Sequence, residues 1–181
     1  MEASGRPLVA ILMGSDSDYP TMRETESMLT EFGIPYVTRI SSAHRAPKKT
    51  TALIESLEAE GVEVFVIGAG LAAHLAGAAA SVSTRPVIGV PMEGGSLRGL
   101  DALYSIVQMP SGVPVATMSI GKAGARNAAI LAAEILALAR PALRDRLRVF
   151  KDALERSVEE KDRELSSGQG RGAAERGEEK A

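Results

Sequence analysis

The sequence predicts an α/β protein: a three-layer sandwich with a central parallel sheet, followed by a long C-terminal helix. Three observations predict it. Short apolar runs recur along the first 120 residues, each closed by Gly, Ser or Pro. Most are apolar throughout rather than alternating, the pattern of strands buried on both faces. Helix-period segments lie between them, and strand–helix alternation implies right-handed crossovers that cover both faces of a parallel sheet.

The runs are LVAILMG (8–14), YVTRI (36–40), VEVFVIG (62–68), PVIGVP (86–91) and VPVATMSI (113–120). The first intervening helix begins near Asp18–Pro20, places Met22, Leu29 and Phe32 on one side and stops at Gly33, a favourable residue just past a helix end. The second starts at PKK, gathers Leu53, Ile54 and Leu57 and stops at Gly61. Further helices are expected over 74–81, 100–107 and 121–140. Beyond Pro141, Leu143, Leu147, Phe150, Leu154, Val158 and Leu165 recur at steps of three, four and seven, an amphipathic helix whose apolar stripe needs a cover. Either the same domain or a neighbouring subunit could supply it. The organisation expected is a catalytic domain over 1–140, the amphipathic helix over 141–165, and a disordered tail over 166–181, where Gly, Ala, Ser and charge dominate.

Composition narrows the function. A chain of 181 residues suits one domain with a sizeable core. With no cysteine, disulfides and thiolate chemistry are excluded, and two histidines leave little for a metal site, so none is expected. A net charge of −2 without a dense basic stretch argues against nucleic-acid binding, and 3% aromatic residues argue against base-stacking platforms. The N-terminal apolar run is too short for a signal peptide, and no run approaches the ~20 apolar residues of a membrane span, so a cytoplasmic protein with no membrane partner is expected.

Ligands of open α/β sheets bind beyond the carboxyl ends of the strands, so the residues after each run carry the chemistry. GSDSD follows the first. Gly14 lets a ligand approach the backbone, Ser15 and Ser17 offer donors, and Asp18 suits ribose hydroxyls; the same residues would also serve simply as helix caps. SSAHRAP follows the second. Ser42 and Arg45 could hold a phosphate, and His44 could give or take a proton near neutral pH, although a lone histidine is more often structural. Two adjacent loops with anion-binding chemistry describe a pocket for a phosphorylated sugar. GAGLAAHLAG follows the third. Its small residues, Gly70 among them, would let a flat ring lie close to the backbone with His74 nearby. It also contains G-x-G-x-x-A with Glu93 about 20 residues on, a dinucleotide fingerprint displaced from its usual place on the first strand of such a unit. SIGKAG is not a Walker loop, because Lys122 is followed by Ala123.

Taken together, MGSDSD, SAHRAP, GAGLAAHLAG, PVIGVP, LDALYSIVQMPSGVPVAT and IGKAGARNAAILAAEILA, in this order, resemble the class I N5-carboxyaminoimidazole ribonucleotide mutases of purine biosynthesis over residues 8–140. The resemblance implies a flavodoxin-like fold, a homo-octamer in which the last helix packs on a neighbouring subunit, and isomerisation of N5-carboxyaminoimidazole ribonucleotide to 4-carboxy-5-aminoimidazole ribonucleotide without metal, ATP or organic cofactor. It implies His44 as the catalytic group. Ser15, Asp18 and Arg45 would bind substrate, Ser17 and Ser42 would stand beside the phosphate, and Gly70 and His74 would cover the base. The chain departs from the family pattern at Ala46, usually Thr, at Leu71, usually Gly, and at Ala76, usually Pro. Three competitors stand beside the mutase: the class II branch that carboxylates aminoimidazole ribonucleotide with CO2 directly, a non-catalytic phospholigand-binding module, and a dinucleotide-binding protein.

Overall fold

The computed structural model describes residues 5–168. Strands β1 (Val9–Met13), β2 (Tyr36–Ile40), β3 (Val64–Ala69), β4 (Val87–Pro91) and β5 (Ala116–Thr117) alternate with helices α1 (Tyr19–Glu31), α2 (Pro47–Glu60), α3 (Leu75–Val82), α4 (Leu100–Val107) and α5 (Lys122–Ala137), and α6 (Pro141–Ser166) follows. The strands form one sheet in the order β2-β1-β3-β4-β5, and every pairing is parallel. This is the flavodoxin-like doubly wound order, in which the chain reverses direction across the sheet between β1 and β3.

Alternate residues of each strand feed two cores. Val9, Ile11 and Met13 of β1 and Val64 and Val66 of β3 pack with Met22, Leu29 and the alanines of α5. Ala10, Leu12, Phe65 and Ile67 pack with Ile54, Leu57, Ala76 and Ile106 of α2, α3 and α4. The continuous apolar runs are therefore explained: a strand covered on both faces has no solvent side to make polar. Each fully buried Leu or Ile contributes about 1.5–3 kcal/mol. On the first face, Ala125, Ala128, Ala129, Ala132 and Ala133 are wholly buried. Their small side chains bring α5 against α1, and the buried Thr25 hydroxyl donates to the Ala125 carbonyl at 2.8 Å.

The edges differ from the sequence expectation. Only Ala116–Thr117 of the run 113–120 pairs as a strand. Pro114 has no N–H to donate, and the segment follows Pro110 and Gly112 into an edge that needs few ladder bonds. At the other edge, β2 is only half covered, and Ile40 is exposed.

The final helix divides in two. Leu143 and Leu147 are buried in the first core. Phe150 meets Phe32 edge to face with centroids 5.4 Å apart. Arg146 donates to the Phe32 carbonyl at 2.6 Å, crossing the space above Gly33. Gly33 has φ +65°, a conformation that suits glycine at the end of α1, and a Cβ there would stand 2.5 Å from Arg146 Nη1 and displace the guanidinium. Farther along, Leu154, Val158 and Leu165 are exposed. The start of the helix thus belongs to its own domain, and the rest of the stripe is left uncovered in the single chain. Most of the tail expected over 166–181 lies outside the described residues. No helix among the described residues is long and apolar enough to cross a membrane.

Candidate active site

Sheet register brings the loops together. Met13 is level with Ile40 and with Gly68, and Ala69 is level with Pro91. The chain therefore leaves β1, β2, β3 and β4 at nearly one height, beside the point where the sheet order reverses. Their loops enclose a cavity of about 620 Å³, within the usual range of about 300–1,000 Å³ for small-molecule sites. All the residues singled out in the sequence, Ser15, Ser17, Asp18, Ser42, His44, Arg45, Gly70 and His74, line it.

The β1 loop is capped as well as exposed to the cavity. Ser15 Oγ accepts from the Ser17 N–H at 3.3 Å and donates to Asp16 Oδ1 at 3.0 Å, opening a single tight turn at Asp16–Asp18 before α1. Capping and pocket lining are thus both roles of Ser15. Asp18 faces the cavity with its carboxyl held above the ordinary carboxylate value: burial raises it most, a backbone hydrogen bond from Ser15 opposes this, and the charge of Asp16 raises it further. A half-buried carboxyl with this cost is suited to accepting hydroxyl hydrogen bonds that would repay its lost hydration.

The β2 loop is fastened to the β1 loop through Arg45. Its Nη2 donates to the Gly14 carbonyl at 2.9 Å, and its Nε donates to Ser42 Oγ at 3.3 Å. Among the described residues no carboxylate lies within ion-pair distance of this guanidinium. It is oriented by neutral acceptors and keeps its charge for an anion in the cavity. Ala46 starts α2 without a side-chain cap. A hydroxyl-bearing residue there would be favoured by about 1 kcal/mol.

His44 and His74 meet across the cavity. Nε2 of His44 and Nδ1 of His74 are 2.6 Å apart, with ring centroids at 4.7 Å and planes at 76°. The contact is a hydrogen bond in which one of these two nitrogens carries the proton and the other accepts it, so it fixes complementary tautomers on the two rings. Neither spacing nor composition foretold the contact, because 30 residues separate the two rings.

Loops β3 and β4 form the other wall. Gly70 is bare where Met92 passes: a Cβ on it would stand 3.3 Å from Met92 Cβ. Leu71 is a non-glycine residue at φ +55°, in the left-handed region, which disfavours an L side chain by about 1–2 kcal/mol. Ala76 lies in the second core and does not line the cavity. Met92, Glu93, Gly94 and Gly95 complete the wall. Sequence reasoning noted Glu93 only for the dinucleotide fingerprint and missed the segment as part of this site. The signal was present, since these residues follow the apolar run ending at Pro91. The fingerprint itself corresponds to the β3 loop, whose glycines serve the shared pocket and precede an eight-residue helix.

The comparisons agree with this geometry. The family model described as AIR carboxylase matches residues 8–157. A curated N5-carboxyaminoimidazole ribonucleotide mutase of Pyrococcus horikoshii is 50% identical over 162 residues, covering 90% of this chain and 90% of that protein. A mutase of the same name from Mycobacterium tuberculosis is 50% identical over 163 residues, covering 90% and 92%. The crystal structure of Treponema denticola PurE superposes with a TM-score of 0.81 at 32% identity, covering 88% of this chain and 99% of that one. With loops from four parallel strands carrying its histidine, arginine and serines into one pocket, and with relatives matched over nearly their whole length, this chain belongs to the AIR carboxylase family.

Proposed function

We propose that the protein is an isomerase of de novo purine biosynthesis that converts N5-carboxyaminoimidazole ribonucleotide to 4-carboxy-5-aminoimidazole ribonucleotide. The observation that carries this is the placement of His44 beside Arg45 in one cavity, in a chain half identical to proteins named for that reaction. Arg45, Ser42 and the β1 loop with Ser15 and Ser17 hold the phosphate, Asp18 accepts from the ribose, and Gly70 and His74 lie over the aminoimidazole ring.

The chemistry is a transfer of one carboxyl group within one molecule. Protonated His44 delivers its proton to the carbamate nitrogen as the N–C bond breaks; the bond electrons stay on nitrogen, and neutral CO2 departs. The C4 carbon, nucleophilic because the amino nitrogen feeds it as an enamine, attacks the trapped CO2 and forms the C–C bond. His44 then removes the C4 proton, which restores the aromatic ring and its own starting state. Protons and electrons balance over the cycle, so none of these steps calls for a cofactor or nucleotide triphosphate. Holding CO2 beside C4 replaces a bimolecular encounter with an intramolecular one.

Purified protein should convert the carbamate substrate without ATP, metal or added bicarbonate. Activity only with aminoimidazole ribonucleotide and high bicarbonate would assign the direct carboxylation instead. Binding without turnover of either would leave a phospholigand-binding module. The exposed apolar residues of α4 (Leu100, Tyr104 and Val107) and the far half of α6 support packing on neighbouring subunits; the assembly proposed from the family resemblance is a homo-octamer, and sedimentation equilibrium reads the state directly. A substrate with two anionic groups, a phosphate and a carbamate, does not cross a membrane unaided, which supports a cytoplasmic enzyme.

A further inference from the structure

Charge at the mouth of the cavity is out of balance. Among the residues that line it, Asp18 and Glu93 bring two carboxylates and Arg45 a single guanidinium. Asp16 stands in the same tight turn as Asp18. The substrate proposed above carries a phosphate and a carbamate, so it meets more like charge than unlike as it enters. Two further cations follow Arg45 in the chain. Lys48 and Lys49 are exposed in the first turn of α2. Three residues separate Lys48 from Arg45, which keeps their Cα atoms within about 11 Å. The other cations after the strands of this half of the sheet, Arg98 and Lys122, follow β4 and β5, on the side away from β2.

Folding does not account for the two lysines. The helix macrodipole is positive at its start and disfavours cations there. Among the described residues no carboxylate pairs with either ammonium. The positions three and four residues on hold Thr51, Ala52 and Leu53, so no ion pair along the helix offsets the charge. We propose that Lys48 and Lys49 form a capture patch with Arg45: they draw the anionic nucleotide toward the cavity from the β2 side and offset the repulsion of Asp16, Asp18 and Glu93. Of the three cations, only Arg45 lines the cavity. The lysines act through space, and such attraction raises association rates and weakens as salt is added. Its range is about 10 Å at 0.1 M ionic strength, enough for Lys48 to be felt by a ligand beside Arg45.

The proposal rests on the isomerase reading, and the test separates the two. Turnover of the carbamate substrate is measured for wild type, Lys48→Gln/Lys49→Gln, Lys48→Glu/Lys49→Glu and Lys48→Arg/Lys49→Arg at low and high ionic strength. At low salt the glutamine pair should lose several-fold in kcat/KM with kcat unchanged, the glutamate pair should lose more, and the arginine pair should match wild type. At about 0.5 M salt, where the screening length is only a few ångströms, the differences should close. The Tm of the glutamine pair should equal or exceed that of wild type, because the cations oppose the dipole of α2. If the glutamine and glutamate pairs match wild type at low salt, the lysines capture nothing and the proposal fails while the isomerase reading stands. A loss that persists at high salt, or a fall in kcat or Tm, would assign the lysines to direct contact or to folding and overturn the proposal. If wild type does not convert the carbamate, the isomerase reading fails and the capture patch falls with it.

Discussion

The two walls of the cavity are built on different principles. The wall from the β1 and β2 loops is polar and tied together: Arg45 bonds to Gly14 and Ser42, and Ser15 caps the turn that follows it. The wall from the β3 and β4 loops is mostly small or apolar apart from His74 and Glu93, has left-handed backbone at Leu71 and Gly95, and is joined by backbone bonds such as Met92 N–H to the Ala69 carbonyl and by contact between side chain and bare backbone. A charged phosphate needs fixed donors, and donors are fixed by hydrogen bonds. A flat ring and a transient uncharged fragment need shape, and shape is set by where a side chain is present or missing. His44 and His74 join across the gap, one from each wall.

The sharpest way to break this comparison is at the junction. His44→Asn should lower isomerisation by about 10²–10⁴-fold, the usual worth of a positioned acid–base group, while the substrate still binds through the polar wall. Steady-state kinetics paired with a direct binding measurement checks it, and full activity would remove His44 from the mechanism. A smaller effect is expected on the shape-defined wall. Gly95→Ala places a Cβ against Leu71 Cδ2 at a position with φ +64°, so the leucine must swing away from the mouth. Isomerisation should fall several-fold, read by steady-state kinetics, and unchanged kinetics would mean that the bare backbone at Gly95 does not shape the site.

The smallest effect concerns stability on the polar wall. The folded-state value of Asp18 is raised above 3.8, chiefly by burial. The folded protein therefore binds this proton more tightly than the unfolded chain does, and stability falls as pH rises through the window between the two values. At neutral pH the whole of that loss is present. Asp18→Asn should have a slightly higher Tm than wild type at pH 7, and the difference should close as the pH is lowered below 3.8. Thermal melts across pH check this, and an unchanged or lower Tm for the variant at pH 7 would contradict it. The same substitution should weaken substrate binding, because the carboxylate is kept for its acceptors at the expense of the fold.

Much of the polar wall was legible in the sequence because its signals are local. Ser, Asp and Arg clustered immediately after an apolar run carry their chemistry wherever the strand ends, and parallel strands end on one side. Gly33 and Gly61 stopped their helices within two residues of the expected points. The shape-defined wall was less legible. Leu71 was marked only as a departure from the family's usual glycine, with its φ and its reach to Gly95 set by the fold, and Glu93 was read for a dinucleotide fingerprint while Met92, Gly94 and Gly95 carried no signal apart from following a strand. The length of β5 was overestimated because an apolar run says that a segment is buried or semi-buried, not that its neighbours leave it a partner to pair with.

The sequence by itself determined the class of fold, the order of its elements and the residues that line the shared cavity, because periodicity, helix stops and residue chemistry are encoded over a few positions. Only the tertiary structure decided the sheet order that gathers four loops at one height, the pairing of His44 with His74 across 30 residues, and the bridge from Leu71 to Gly95. Those depend on how distant segments pack, and sequence spacing alone does not record a distance across a sheet.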